Sequence, residues 1–471
     1  MMANASDSTS SVGGCSTEEQ IKSRSTQDAD TVPNSGTSST TAVSFNILNS
    51  VIGSGILGIP FAMREGGFFA GIVILLSVAA LTNFSMNALI KSGRKVGVYQ
   101  FPYLAEKTLG QVGYHFLNFI VWFDCIGSCV SYLIIIGDTI PPLAAMSVPG
   151  IQILQNRVYA ILFSTIFIAP LIFFRTVSPL AKFSVVSVCC LPIISLTVAI
   201  RAPKYAAEHD ISYDFIGDNV LGAIGVMSFA FVVNQSAFLH FASLKNSTDK
   251  RWLKSTRNAV IGSVGLYIMF AVVGYMSFGS DIQDNIFKNF PADDPYINFA
   301  RFCLFVTLLF TFPMLFYPAR EIVYVVTKCQ TPTRIPTRFE HITISVVFFI
   351  LSVFLSCLIH DLGKVYQVIG ALCASGISYL VPAAVFLATF WNSRLIWSKL
   401  RHTVDRLSDK DNEATVQTPL LPGQPGPVAS RLEGSDFSLL DIVGCGVLLI
   451  VGLISLIAGT AHTVSDILNG K

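Results

Sequence analysis

Residues 45–63 read FNILNSVIGSGILGIPFAM, and how this stretch is read decides the fold. It is apolar at both ends, yet it carries Gly53, Gly55, Gly58 and Pro60 where a membrane helix should run unbroken. Glycine weakens a helix, and proline takes a backbone donor out of it. In hydrocarbon each freed backbone group costs several kcal/mol unless something satisfies it. A spanning helix broken at that depth is tolerated only where it faces protein or a watery cavity, so the break marks a candidate ligand site.

The surrounding chain has the composition of an integral membrane protein. Of 471 residues, 52% are hydrophobic and 13% charged, about half the ~25% charged share of soluble domains. The net charge of +2 gives no sign of a nucleic-acid surface, because the basic residues are dispersed rather than clustered. Most of the ten cysteines, among them Cys125, Cys129, Cys189 and Cys373, fall inside apolar runs as small hydrophobes rather than as a disulfide framework. No CxxC pair or His/Cys cluster has metal-site spacing, and no nucleophile–base constellation or cofactor loop points to an enzyme.

Eleven runs are long enough to cross ~30 Å of hydrocarbon at ~1.5 Å per residue. They lie at 42–64, 67–90, 113–137, 158–174, 177–200, 219–242, 258–279, 298–319, 341–359, 365–391 and 438–461. Residues 1–41 form a polar tail, expected to be disordered and cytoplasmic, that could hold a partner motif. Residues 392–437, with Pro419, Pro422, Pro425 and Pro427, read as a cytoplasmic linker, and 462–471 as an outside tail. Of the 31 lysines and arginines, 23 fall on the side of the N-terminal tail and 8 on the other, which places the N-terminus inside.

The linker separates ten helices from one. Ten suggest two sets of five, 42–200 and 219–391, inverted relative to each other because five is odd. The first span of each set should then correspond. The sixth indeed holds a polar interruption, SFAFVVNQS at 228–236, preceded by Gly222 and Gly225. Paired interrupted helices at matching positions point to a transporter's binding site.

The break offers two kinds of chemistry. The outer half-helix presents backbone N–H groups of Ser54, Gly55 and Ile56 to a carboxylate, with the Ser54 hydroxyl as a further donor. The inner half-helix ends at Ile52, whose carbonyl suits a hard cation, with Asn49 one turn earlier. Thr307 and Thr311 share a face of the eighth span near Pro313 and could complete a sodium shell. Each could equally bond its own helix carbonyl. Phe229 and Phe231 could cover a substrate side chain or simply pack, and Asn234 could bond a ligand, a neighbouring helix or the broken backbone. The glycines could also serve close helix packing alone. Asp124 is a carboxylate inside the apolar third span, where ionisable groups tend to mark ion or proton pathways.

FNILNSVIGSGILGIPFAM, GVMSFAFVVNQSAFL, TFPMLFYPARE and LGKVYQVIGALCAS together resemble the sodium-coupled neutral amino acid transporters of the amino acid/auxin permease group. The resemblance implies a leucine-transporter-like fold: an all-α membrane protein of eleven transmembrane helices, a 5+5 inverted repeat with broken first and sixth helices plus a C-terminal helix. It implies sodium contacts at Asn49 and at Thr311, or Thr307 by register, and substrate carboxylate contacts at Ser54 and Gly55. Val233 and Asn234 stand where many members carry Cys-His. The expected activity is alternating-access transport of neutral amino acids with sodium as coupling ion and no other cofactor, in the plasma membrane or an endolysosomal or vacuolar one. A proton-coupled permease using Asp124, or an amino acid sensor signalling through residues 1–41, are the alternatives.

Overall fold

The computed structural model describes residues 36–147, 150–174, 184–209, 211, 213–329, 334, 336–391 and 439–468. Most of the expected N-terminal tail and the whole expected linker lie outside them. The described chain is helical, with an isolated β-bridge between Ser38 and Leu244.

Eight of the described helices are long and apolar enough to cross a membrane, and nine if the bent pair Thr40–Val51 and Ser54–Gly66 counts as one span. The expected fourth span is the shorter helix Arg157–Ile172 of 16 residues, and the described part of the expected fifth is the helix Ser184–Arg201, with 177–183 outside the described residues.

The third span departs from its expected limits of 113–137. Its helix runs Phe101–Ser147 and is split at Gly110, where φ is 74°. Residues 101–109, expected as loop, are helical. Their mixed polar and apolar sequence hides this from a hydropathy reading, while Pro102 in the first turn removes no helix bond. Thr40 and Thr41, assigned to the tail, already belong to the first helix, which Ser39 caps by accepting from the Ala42 N–H at 3.2 Å.

Packing divides the helices into two groups. The first, second, sixth and seventh spans pack on one another, while the eighth packs on the third, fourth, fifth and ninth. The tenth touches both groups through the second, third and sixth spans. It begins as the α-helix Leu362–Ile369, widens into π-type turns over Gly370–Leu380 and continues as Val381–Trp391. The last helix, from Leu439, lies against the second and tenth spans.

The first and sixth spans run antiparallel and are stitched at both ends. At one end the Gly217 N–H donates to Gly66 at 2.9 Å and the Asn219 N–H to Glu65 at 2.9 Å. Gly67 makes the turn there with φ 85°, and a Cβ on it would meet the Gly217 nitrogen at 2.6 Å. At the other end the Ser38 N–H donates to Ser243 at 3.0 Å and the Lys245 N–H to Ser38 at 2.9 Å.

A charged cluster joins several loops on the Gly67 side. Asp284 accepts from the Leu362 N–H at 2.5 Å, at the start of the tenth span, and pairs with Lys288 at 2.9 Å. Lys288 also reaches Asp138 at 3.4 Å, which pairs with Arg157 at 3.4 Å. Burial pulls the Lys288 pKa down, but the two carboxylates outweigh it and leave it raised. The Lys288 ammonium therefore stays charged at this end of the bundle.

The sixth and tenth spans cross at two glycines. A Cβ on Gly370 would run into the carbonyl oxygen of Gly225. Gly370→Ala is therefore expected to lower stability by about 1–3 kcal/mol through overpacking, read as a drop in the melting temperature of the detergent-solubilised protein. An unchanged melt would show that the crossing yields without cost.

Candidate substrate and cation site

The break in the first span is a short stretch of non-helical chain followed by a tight turn. Val51 ends the inner helix, Ile52 and Gly53 leave helical geometry, Ser54–Gly58 form a 3-10 turn and Ile59–Gly66 complete the span. Pro60 sits in the first turn of that outer helix, where its missing N–H is not needed. The sixth span breaks after Ala230, makes a 3-10 turn at Asn234–Ser236 and resumes at Ala237–Ser243.

These breaks lie against each other. A Cβ on Gly55 would meet Cα and Cβ of Ala230 at 2.8 and 2.9 Å, so only glycine permits the approach. Both breaks leave donors free: among the described residues the N–H groups of Ser54, Gly55, Val233 and Asn234 make no hydrogen bond. The Ile56 N–H donates weakly to Gly53 at 3.4 Å. Ser54, Gly55 and Ile56 are all buried. Unbonded buried donors at the start of a helical turn are what an anion-binding site requires.

Two buried tyrosines hold the carbonyl side. The Tyr267 hydroxyl of the seventh span lies 2.8 Å from the Val51 carbonyl and 2.9 Å from the Ala230 carbonyl. One hydroxyl proton thus serves the last carbonyls of both broken half-helices. The Tyr366 hydroxyl of the tenth span donates to the Ser54 carbonyl at 3.0 Å. Its ring stacks on Phe229 at 4.8 Å and would meet a Cβ on Gly58 at 2.9 Å. The Ile52 carbonyl keeps no hydrogen-bond partner among the described residues.

Of the residues singled out in the sequence, Ser54, Gly55, Ile56 and Phe229 gather at this crossing. Phe231 is fully buried and packs edge-on against Tyr267 at 5.0 Å. Asn234 points to the second span: its amide donates to the Ser85 hydroxyl at 2.6 Å, and its Oδ1 is buried without a partner. Ser85 in turn donates to the Ser378 carbonyl of the tenth span. Asn49 is half-buried on the inner helix.

The eighth-span threonines bond their own helix, Thr307 to the Cys303 carbonyl at 2.8 Å and Thr311 to the Thr307 carbonyl. Among the described residues no hydrogen bond joins them to Asn49. A hydroxyl that donates its proton to a carbonyl still has lone pairs for a cation, so both retain ligand capacity.

Tyr267, Tyr366 and Ala230 are not legible as site residues in the sequence. Nothing local marks them, because each matters only through the helix it faces. The length of chain between them and the break hides the pairing.

The chain matches the family model described as transmembrane amino acid transporter protein over residues 36–407. A Mus musculus protein assigned by name as sodium-coupled neutral amino acid transporter 11 is 32% identical over 359 residues, covering 75% of this chain and 78% of that protein. Vacuolar amino acid transporter 2 of Saccharomyces cerevisiae is 26% identical over 379 residues, covering 77% of each. The crystal structure of MhsT in complex with L-phenylalanine shares 12% identity at a TM-score of 0.50, over 88% of this chain and 98% of MhsT. At that identity the likeness speaks for the fold, a leucine-transporter-like bundle.

The tyrosine bridge can be tested directly. Tyr267→Phe leaves the Ala230 carbonyl without its donor and is expected to cost about 1–3 kcal/mol. Both the melting temperature and initial transport rates should fall; wild-type values for both would remove the bridge from the account.

Proposed function

The chain belongs to the transmembrane amino acid transporter family, and on that footing we propose that it is a secondary active transporter moving neutral amino acids by alternating access, coupled to inward sodium movement. The observation that carries this reading is the contact of the two breaks, Gly55 on Ala230, with free N–H groups and free carbonyl oxygen at one buried crossing.

In this reading the substrate carboxylate rests on Ser54, Gly55 and Ile56. Phe229, backed by Tyr366, and Phe231 bound the side-chain space, and Asn234 holds the second break against the second span. Sodium is held by the Ile52 carbonyl, Asn49 and a hydroxyl of Thr311 or Thr307. Their oxygens are neutral and hard, as an alkali cation requires. The antiparallel pairing of the first and sixth spans supports a 5+5 inverted repeat with an eleventh helix added. The excess of lysine and arginine on the side of the N-terminal tail supports an N-terminus on the cytoplasmic side.

Coupling is energetically sufficient. One charge moved through ~100 mV is worth ~2.3 kcal/mol, which sustains roughly a fiftyfold substrate gradient. The resemblance to a vacuolar transporter favours a second reading, a proton-driven permease of a vacuolar or lysosomal membrane.

Uptake of labelled neutral amino acids by the protein in liposomes, with sodium and proton gradients imposed separately, decides between them. Sodium-driven uptake is expected, and Asn49→Ala should raise the half-saturating sodium concentration by about tenfold, equivalent to ~1.4 kcal/mol. Uptake indifferent to sodium and voltage would discard the sodium coupling.

A further inference from the structure

We propose that Asp124 is a proton-carrying group, loaded and unloaded during the transport cycle, whose state the tenth span passes to the substrate site. The proposal rests on the transport reading above and adds to it a titrating residue outside the substrate crossing.

Asp124 lies within the third span, 3% exposed, and its Oδ1 has no hydrogen-bond partner. The titratable groups that face it are thiols: Cys125 and Cys129 on its own helix and Cys373 on the tenth span. The third span also packs on the fourth, eighth and ninth, and no charged side chain from them acts on this carboxyl among the described residues. A bare carboxylate with neither counter-ion nor donor is costly at that depth, and a carboxylic acid is tolerated.

The position connects Asp124 to the breaks. One turn before it, Ile120 fills the space against Gly376, and one turn after it Gly127 packs on Ile369, with no room for a Cβ at either glycine. The carboxyl therefore sits between two close contacts of the third span with the tenth, one at Gly376 inside the π-type stretch Gly370–Leu380 and one at Ile369 just before it. Such wide turns are unusual in helices and occur often at functional sites. The same helix carries Tyr366, bonded to the Ser54 carbonyl and stacked on Phe229, and Gly370, pressed on Gly225 of the sixth span. A rearrangement of the tenth span that opens Asp124 to water would thus pull on both breaks, through contiguous packing.

The chemistry is a proton transfer alone. A water-borne proton on one side forms the carboxyl O–H bond, which breaks again when the group meets water on the other side, and no electrons change hands.

The test uses the full-length protein in liposomes with equal sodium on both sides and the voltage clamped. A one-unit pH gradient, acidic on the side of uptake, should raise the wild-type accumulation ratio of a labelled neutral amino acid by up to about tenfold for one proton per cycle. A trapped pH dye should report protons entering with it. Asp124→Asn should still exchange labelled for unlabelled amino acid, but with a flat pH response and no dye signal, and Asp124→Glu should restore both in part. A pH response in Asp124→Asn equal to wild type overturns the proposal. So does amino acid uptake by the wild type without proton movement, which leaves the transport reading standing. No amino acid movement under any gradient overturns both.

Discussion

A helix that stops halfway through hydrocarbon leaves backbone groups that must be met, and this single requirement organises the molecule. The fold meets it by breaking two helices side by side, so that each covers the other at Gly55 and Ala230. The carbonyl ends share the Tyr267 hydroxyl, and the Ser54 carbonyl takes that of Tyr366. Donors at the start of the first-span turn are left over. Protein groups cover the negative ends of the broken helices more fully than the positive end, which biases the crossing toward an anionic ligand group.

Directed bonds hold both ends of the bundle, as the tyrosine hydroxyls hold its middle. Loop-to-loop pairs at Glu65–Asn219 and Ser38–Lys245 fix the first span to the sixth, while Asp284, Lys288, Asp138 and Arg157 link the third, fourth and tenth spans on one side. Toward the other side the buried Arg320 donates to the carbonyls of Ile172 and Phe174, fastening the eighth span to the fourth. The first, second, sixth and seventh spans thus form one packed set and the third, fourth, eighth and ninth belong to another. The tenth lies between them and carries the irregular turns. An alternating-access cycle needs such a division, since the two sets can move relative to each other only if the helix between them yields.

The membrane class, the broken first span and the interruption in the sixth were legible because each is a local anomaly: glycines, proline and amides in apolar runs. The helix at 101–109 was not, since its amphipathic sequence falls below any hydropathy threshold for a span. The Thr40 start was displaced by two residues because a polar N-cap at Ser39 resembles tail sequence. The site was half legible. Ser54, Gly55, Ile56 and Phe229 are read from one stretch each, whereas Tyr267 and Tyr366 act through contacts about 200 and 300 residues away along the chain. Thr307 and Thr311 show the limit of spacing arguments: they share a face, but their protons go to their own helix.

The central claim is that the first-span break holds a carboxylate. The direct measurement is equilibrium binding of a labelled neutral amino acid to the purified protein, competed with unlabelled neutral amino acids and with the matching amines that lack the carboxyl group. The account predicts saturable binding that the amino acids displace and the amines do not. Displacement by both at equal concentrations would contradict it.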